Sequence, residues 1–358
     1  MTNILPAVLS CRGPRLSDEE KFFFARTNPL GINLFARNIV SQTQLKTLIS
    51  EIKETIGRED VMIAVDQEGG RVRRLKEPEF RSYAAAITLG SLPLDEAREA
   101  CRLHAHLISE DLRGLGINVN YAPVLDLIYP QTSPALLSRC FSASPQTVAA
   151  LGKACVDEYI KNGVAPCIKH MPGHGRTHVD PHLGLPRLDQ TLDELEPDFY
   201  PFRKLRGAPL GMTAHVVLTA VDETAPVTQS KKAVDTVIRD LIGFDGLLIS
   251  DAVDMKALRG SAGEKARRSL DAGCDCVCYA LGDLDEMRDI ATACPPMTEQ
   301  ALRRYENAKK VWNKEVLFAN SDKSAQNYQR LTGKTEPYLE TYDATEVLNK
   351  LLKEKNKC

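Results

Sequence analysis

Four of the chain's seven histidines fall within Lys169 to His182 (KHMPGHGRTHVDPH), directly after the apolar run Val164 to Ile168. Pro172, Gly173, Gly175 and Pro181 punctuate the stretch, so it reads as a loop able to fold back over its own strand rather than as a helix. Asp180 and His182 stand two apart within it. A carboxylate at that distance can accept a hydrogen bond from one imidazole nitrogen and leave the other free to move a proton, which is the arrangement of a general acid/base. A second acid, Asp251, ends the apolar run Gly246 to Ser250, where a rigid strand end can hold a carboxylate against a reacting carbon. Asp254 follows in the same turn and faces the next loop or begins a helix. A third motif, Asp66-Gln67-Glu68-Gly69-Gly70-Arg71-Val72, joins a strand-end acid to a tight Gly-Gly turn, and Asp66 can bind two hydroxyls at once. Most Gly-Gly pairs only turn the chain, and no GKS or GKT follows to make this a nucleotide-phosphate loop.

What must position these groups is a repeating scaffold. Short runs rich in Val, Ile and Leu recur at Pro6 to Ser10, Gly31 to Phe35, Val61 to Val65, Asn118 to Val124, Ala165 to Ile168, Gly211 to His215, Gly246 to Ser250 and Asp275 to Tyr279. Segments of helical period lie between them, including Gln42 to Ile56, Leu94 to Leu115, Pro145 to Lys161 and Lys231 to Ile242. Eight strands alternating with helices predict an α/β protein, a (β/α)8 TIM barrel, ahead of the alternative of an open doubly wound sheet with a second domain. Arg37, Asp66, Asp126, Lys169 with His170, His215 and Asp251 all sit at or just past the C-terminal ends of these runs. Any one of them can be a solvated loop start, but barrel enzymes place their chemistry at that rim, and six such positions together favour a site. The barrel domain is expected over 1–318. Beyond it lies an extension, 319–358, that is polar and then helical from Ala344 to Lys353, with no chemistry legible in it.

A chain of 358 residues that is 43% apolar can bury a large core. Its net charge of -2 is spread in both signs, which excludes nucleic acid and anionic membrane as expected partners. No window is long and apolar enough for a membrane span, and the first residues lack an export signal, so a cytoplasmic protein is expected, a monomer or weak oligomer. The ten cysteines are then reduced thiols. Cys274, Cys276 and Cys278 read as one face of a buried strand rather than a zinc site, which draws ligands from wider turns.

Taken together, the motifs resemble those of family 3 glycoside hydrolases, within them the bacterial cytosolic β-N-acetylglucosaminidases that trim cell-wall muropeptides. The resemblance spans roughly residues 5–315 and rests on AVDQEGGRV (64–72), NYAPVLDL (120–127), SRCFS (138–142), KHMPGHG with DPH (169–175 and 180–182), MTAHV (212–216) and GFDGLLISD (243–251). It implies that Asp251 attacks the anomeric carbon. His182, oriented by Asp180, would protonate the leaving oxygen and later activate water, with retention and without cofactor or metal. A histidine then replaces the acid of the usual carboxylate pair. The resemblance further implies that Asp66, Arg139, Lys169 and His170 hold hydroxyls of the terminal sugar, with Asp126, His174 and His215 supporting them. The implied substrate is a small carbohydrate, a terminal β-linked N-acetylglucosamine on an anhydro-N-acetylmuramic acid fragment. Two departures stand out: the family commonly has Asp-Ser-His where this chain has Asp180-Pro181-His182, and Ser-Asp-Asp where it has Ser250-Asp251-Ala252. Pro181 removes a backbone donor from the acid/base loop, and Ala252 alters the field at the nucleophile.

Three other readings compete. A metal-dependent barrel hydrolase would draw on His170, His174, His178, Asp180, His182, His215 and Asp251, but their spacing resolves into no one ligand set. A β-N-acetylglucosaminide or β-glucoside phosphorylase would use phosphate in place of water, which a neutral histidine repels less than a carboxylate would. A noncatalytic sugar-binding protein has no need of Asp251, Asp180 and His182 together.

Overall fold

A computed structural model describes residues 4–177, 184–318 and 321–333. Ten strands run in chain order: β1 Leu5–Leu9, β2 Pro29–Leu34, β3 Met62–Val65, β4 Val119–Asn120, β5 Ala165–Met171, β6 Arg187–Leu188, β7 Leu210–Thr213, β8 Val217–Leu218, β9 Leu247–Ala252 and β10 Cys276–Cys278. Eight of them close into a parallel barrel in the order β1-β10-β9-β7-β5-β4-β3-β2. Closure excludes the open-sheet alternative, and all eight expected runs supply a barrel strand. The added pair, β6 and β8, forms a separate two-stranded sheet.

Parallel strands need crossovers, and the helices that provide them are marked by local chemistry. Ser41 caps Gln42–Ile56 and Ser144 caps Pro145–Lys161, each hydroxyl accepting from a backbone N–H of the first turn. Leu94–Leu115 ends on Gly116 in the left-handed region, as expected of its sequence. One crossover differs from the regular helix expected from Lys231 to Ile242. After Lys231–Ala233 the chain widens into a π-helix, Val234–Leu241, and Ile242 N–H closes on Val237 C=O at 2.9 Å.

Side chains alternate across each strand, and the core divides accordingly. Ala7, Leu9, Ile63, Val65, Leu248 and Val277 pack outward against the helices. Val8, Met62, Ala64, Ala165, Cys167, Leu247, Ile249, Cys276 and Cys278 fill the lumen. The helix Glu299–Trp312 closes the N-terminal end of the barrel: its Ala301, Tyr305, Ala308 and Trp312 join the lumen core. Tyr305 and Lys309 bond Asp60, just ahead of β3, at 2.6 and 2.7 Å. Cys274 departs from the expectation of three sulfurs on one face. The strand begins only at Cys276, and Cys274 lies outside the lumen, its thiol 3.7 Å from Thr228 C=O.

Past the barrel, Ser321–Thr332 forms a helix within the stretch expected to be polar; Tyr328 and Leu331 are its buried residues. The expected helix from Ala344 to Lys353 lies outside the described residues. No helix among the described residues is long and apolar enough to cross a membrane.

Candidate active site

The two-residue period that fills the lumen also builds the site. Met62 and Ala64 face inward, so Asp66 continues their row above the last strand residue; Ala165 and Cys167 lead in the same way to Lys169, and Leu247 and Ile249 to Asp251. Lys169 is buried, and its Nζ reaches Asp66 Oδ1 at 2.8 Å and Glu68 Oε1 at 2.6 Å. Arg74 touches Asp66 Oδ2 at 3.3 Å, and Arg139 grips both oxygens of Glu68 at 2.8 Å. Burial alone would push both carboxyls up. The cations outweigh it, Lys169 and Arg74 holding Asp66, and Arg139 and Lys169 holding Glu68, below the usual carboxylate range. Burial likewise works against the Lys169 ammonium, and Asp66 and Glu68 more than offset it. The result is a charged lattice of two acids and three bases, largely withdrawn from solvent.

His170 joins this lattice to a second one. Its Nδ1 lies 2.7 Å from Asp126 Oδ2, and Arg139 approaches its Nε2 at 3.3 Å. Arginine only donates, so Nε2 accepts and Nδ1–H donates to Asp126. Asp126 also accepts the backbone N–H of His174 at 2.9 Å. Burial would raise the Asp126 carboxyl, but His174 and His170 bring it down to about 2. His174 is itself pushed down to about 4 by burial. Asp126, His170 and His174 present ligand atoms within 4.8 Å of one another, a spacing that can hold a metal ion. Hydrogen bonds already account for the group apart from His174 Nδ1. His215 is not part of it. Its Nδ1 meets the Thr228 hydroxyl at 2.8 Å and its Nε2 donates to Ala252 C=O at 3.0 Å, so it braces the end of β9.

Asp251 is half-buried, and its Oδ1 accepts the N–H of Ala252 at 2.8 Å. Its charge reaches Cys167 and Cys278 in the lumen and His174 across the rim. The three motifs read from the sequence therefore converge on one end of the barrel. The side chain of Ala252 packs with Phe35 and Ala280 instead of facing the polar groups. Asp254 accepts the N–H of Ala280 at 2.7 Å.

Asp66, Arg139, Lys169 and His170 form one connected network, with Asp251 near it; Asp180 and His182 lie outside the described residues. The loop leading toward them is fastened at its base. Thr132 donates to Gly175 C=O at 2.6 Å, Ser133 N–H to Thr177 C=O at 3.0 Å, and Arg176 pairs with Asp198 at 2.7 Å. Gly175 is obligatory there, since a Cβ would lie 1.9 Å from Leu127 C=O. Gly175→Ala is expected to cost about 1–3 kcal/mol and to lower the melting temperature, measured by calorimetry.

Glu68 and Arg74 went unassigned in the sequence reading. Glu68 shares a motif with Asp66, and the one signal was its place two residues further on, where a turn rather than a strand decides its direction. That turn is tight: Gly69 has φ +97°, and a Cβ on it would meet Ala84 C=O at 2.4 Å and His104 Cε1 at 2.8 Å. Burial pushes His104 down to about 4 from an ordinary 6.5. Between those values the unfolded chain binds a proton that the folded chain refuses. Stability from His104, about 3 kcal/mol, is therefore present above pH 6.5 and lost as pH falls toward 4. Thermal unfolding across that window should show the decline, and His104→Gln should flatten it.

Residues 7–294 match the glycosyl hydrolase family 3 N-terminal domain. A β-hexosaminidase of Neisseria gonorrhoeae (strain NCCP11945) is 38% identical over 295 residues, covering 79% of this chain and 81% of that protein. One of Bordetella avium is 34% identical over 309 residues, covering 83% and 87%. Among solved structures, NagZ from Neisseria gonorrhoeae in complex with N-trifluoroacetyl-D-glucosamine superposes with a TM-score of 0.81 at 32% identity, covering 91% of this chain and 98% of that one.

Proposed function

Because this chain belongs to glycosyl hydrolase family 3, we propose that it removes terminal β-linked N-acetylglucosamine from small carbohydrates by a retaining mechanism, with Asp251 as nucleophile. It is a glycoside hydrolase, and its relatives are β-hexosaminidases. The observation that carries the mechanism is the convergence of Asp251 with the charged Asp66–Lys169–Glu68–Arg139 lattice on one rim. A sugar with several hydroxyls needs ionised acceptors and donors already fixed in place, and a lattice that is charged without a ligand supplies them at little reorganisation cost.

In this reading Asp66 accepts two hydroxyls of the non-reducing sugar, while Lys169, Arg139 and His170 donate or accept at its remaining edge. The Asp251 carboxylate forms a bond to the anomeric carbon as the glycosidic bond breaks. The His182 imidazole, held by Asp180, gives its proton to the departing oxygen and then takes one from the water that frees the sugar. Asp126 and His174 support His170, and His215 holds the strand beneath Asp251. The substrate class fits GlcNAc–anhydro-N-acetylmuramic acid fragments of the cell wall. The nine described cysteines are all free thiols, which suits work in the cytoplasm.

Hydrolysis of p-nitrophenyl N-acetyl-β-glucosaminide, run beside the β-glucoside, tests the assignment, with proton NMR following the anomer first released. Release of the β-anomer from the N-acetyl sugar, insensitive to phosphate and to chelator, is the expected result. First release of the α-anomer would overturn retention; dependence on phosphate would make the enzyme a phosphorylase, and loss under chelation would make it a metalloenzyme.

A further inference from the structure

We infer that Tyr328, on the helix Ser321–Thr332 beyond the barrel, is a positioning residue for the sugar-binding loop at Asp66 to Val72 and acts on it through His104. The inference rests on the proposed role of that loop in holding the terminal sugar. Tyr328 Oη lies 3.0 Å from the N–H of Ala84 and 2.8 Å from His104 Nδ1; His104 Nε2 lies 2.9 Å from Glu68 C=O. The protons can be placed. A carbonyl only accepts, so Nε2–H donates to Glu68; the neutral ring then accepts at Nδ1 from the Tyr328 hydroxyl, whose oxygen accepts from Ala84. Each donor in the chain has one acceptor.

The geometry runs from a helix at the end of the described chain to the backbone of the residue whose carboxylate spaces Arg139 and Lys169. Around it the loop has little slack. His104 fills the space a Cβ on Gly69 would need, Gly70 N–H bonds Tyr83 C=O at 2.9 Å, and the Tyr83 ring stands edge-on to His104 with centroids 5.5 Å apart. Burial of an aromatic ring would be served equally by phenylalanine. The hydroxyl, at the junction of a loop N–H and the histidine that holds Glu68, is what packing leaves unexplained. Without it His104 Nδ1 loses the donor that anchors the ring from behind, and the restraint on Glu68 loosens.

Tyr328→Phe keeps the ring and removes the hydroxyl. With p-nitrophenyl N-acetyl-β-glucosaminide we expect KM to rise about fivefold, Ki for free N-acetylglucosamine to rise in parallel, and kcat to stay within about twofold. His104→Gln should raise both constants similarly, and the double variant should cost little more than either single change, as for residues acting in series. A purely structural role would lower the melting temperature and leave KM and Ki at wild-type values, because neither depends on how much enzyme is folded. Unchanged KM and Ki in Tyr328→Phe, or additive effects in the double variant, overturn the inference alone. If Tyr328→Phe does not accumulate folded, His104→Gln carries the same readouts. A wild-type enzyme that neither cleaves this glycoside nor binds N-acetylglucosamine overturns the functional reading, and this inference with it.

Discussion

Asp251→Ala is expected to fall roughly 10⁴-fold in kcat on an aryl N-acetyl-β-glucosaminide while remaining folded. Asp251 is half-buried at the open end of β9, where its Oδ1 accepts the N–H of Ala252. In the proposed mechanism the electron pair it supplies to the anomeric carbon is not replaced by Asp66, Glu68 or Asp126, since these are committed: Asp66 to Lys169 and Arg74, Glu68 to Arg139 and Lys169, Asp126 to His170 and His174. Azide, a small anionic nucleophile, should restore turnover of a substrate with a good leaving group and give the α-glycosyl azide. Recovery as the β-azide, or activity in Asp251→Ala near that of wild type, would move the nucleophile elsewhere.

Lys169→Met is expected to cost about 3–5 kcal/mol of stability and roughly 10²-fold or more in kcat/KM, the larger stability effect of the two substitutions. Methionine fits the space, so the loss is electrostatic: Asp66 and Glu68 stay largely withdrawn from solvent while a cation that holds both is gone. The sign with pH follows. In the wild type both carboxyls are held low, so their share of stability is present above their ordinary values, 3.8 and 4.5, and is lost as the medium is acidified below them. Without Lys169 much of that share is missing at neutral pH. The gap in melting temperature between variant and wild type should be widest near pH 7 and narrow as the pH falls below the ordinary carboxylate values, where the unfolded chain takes up protons that the wild-type fold refuses. A gap that stays constant with pH would mean that packing, not charge, is what Lys169 provides.

The scaffold was legible because a fully buried parallel strand writes itself as a short apolar run, and a barrel repeats that run eight times. The helix Leu94–Leu115 matched to the residue since Pro93 and Gly116 bound a strongly amphipathic segment. The strand at Asn118 to Val124 was read too long. Only Val119–Asn120 is a strand, and the chain then leaves the regular ladder, meeting β5 again where Cys167 N–H bonds Ala122 C=O at 3.1 Å and at the bridge of Val124 to Lys169. Asp66, Lys169 and Asp251 could be found because each continues a two-residue alternation that tertiary packing respects. Glu68 and Arg74 escaped because turns set their directions, and a turn built on Gly69 erases the period. Tyr328 was invisible for a different reason: its meaning lies in a contact with His104 across 224 positions of sequence, and its helix is too polar to announce a buried face. Cys274 shows the opposite error, in which a regular C-x-C-x-C spacing suggested a strand that starts two residues later.

The lumen is solid from the strand bottoms upward, and Trp312 with its helix stops the far end. The molecule is thus a well and not a tunnel. Whatever is drawn in must be withdrawn by the same mouth, so a long polymer cannot be threaded through and clipped repeatedly in one encounter.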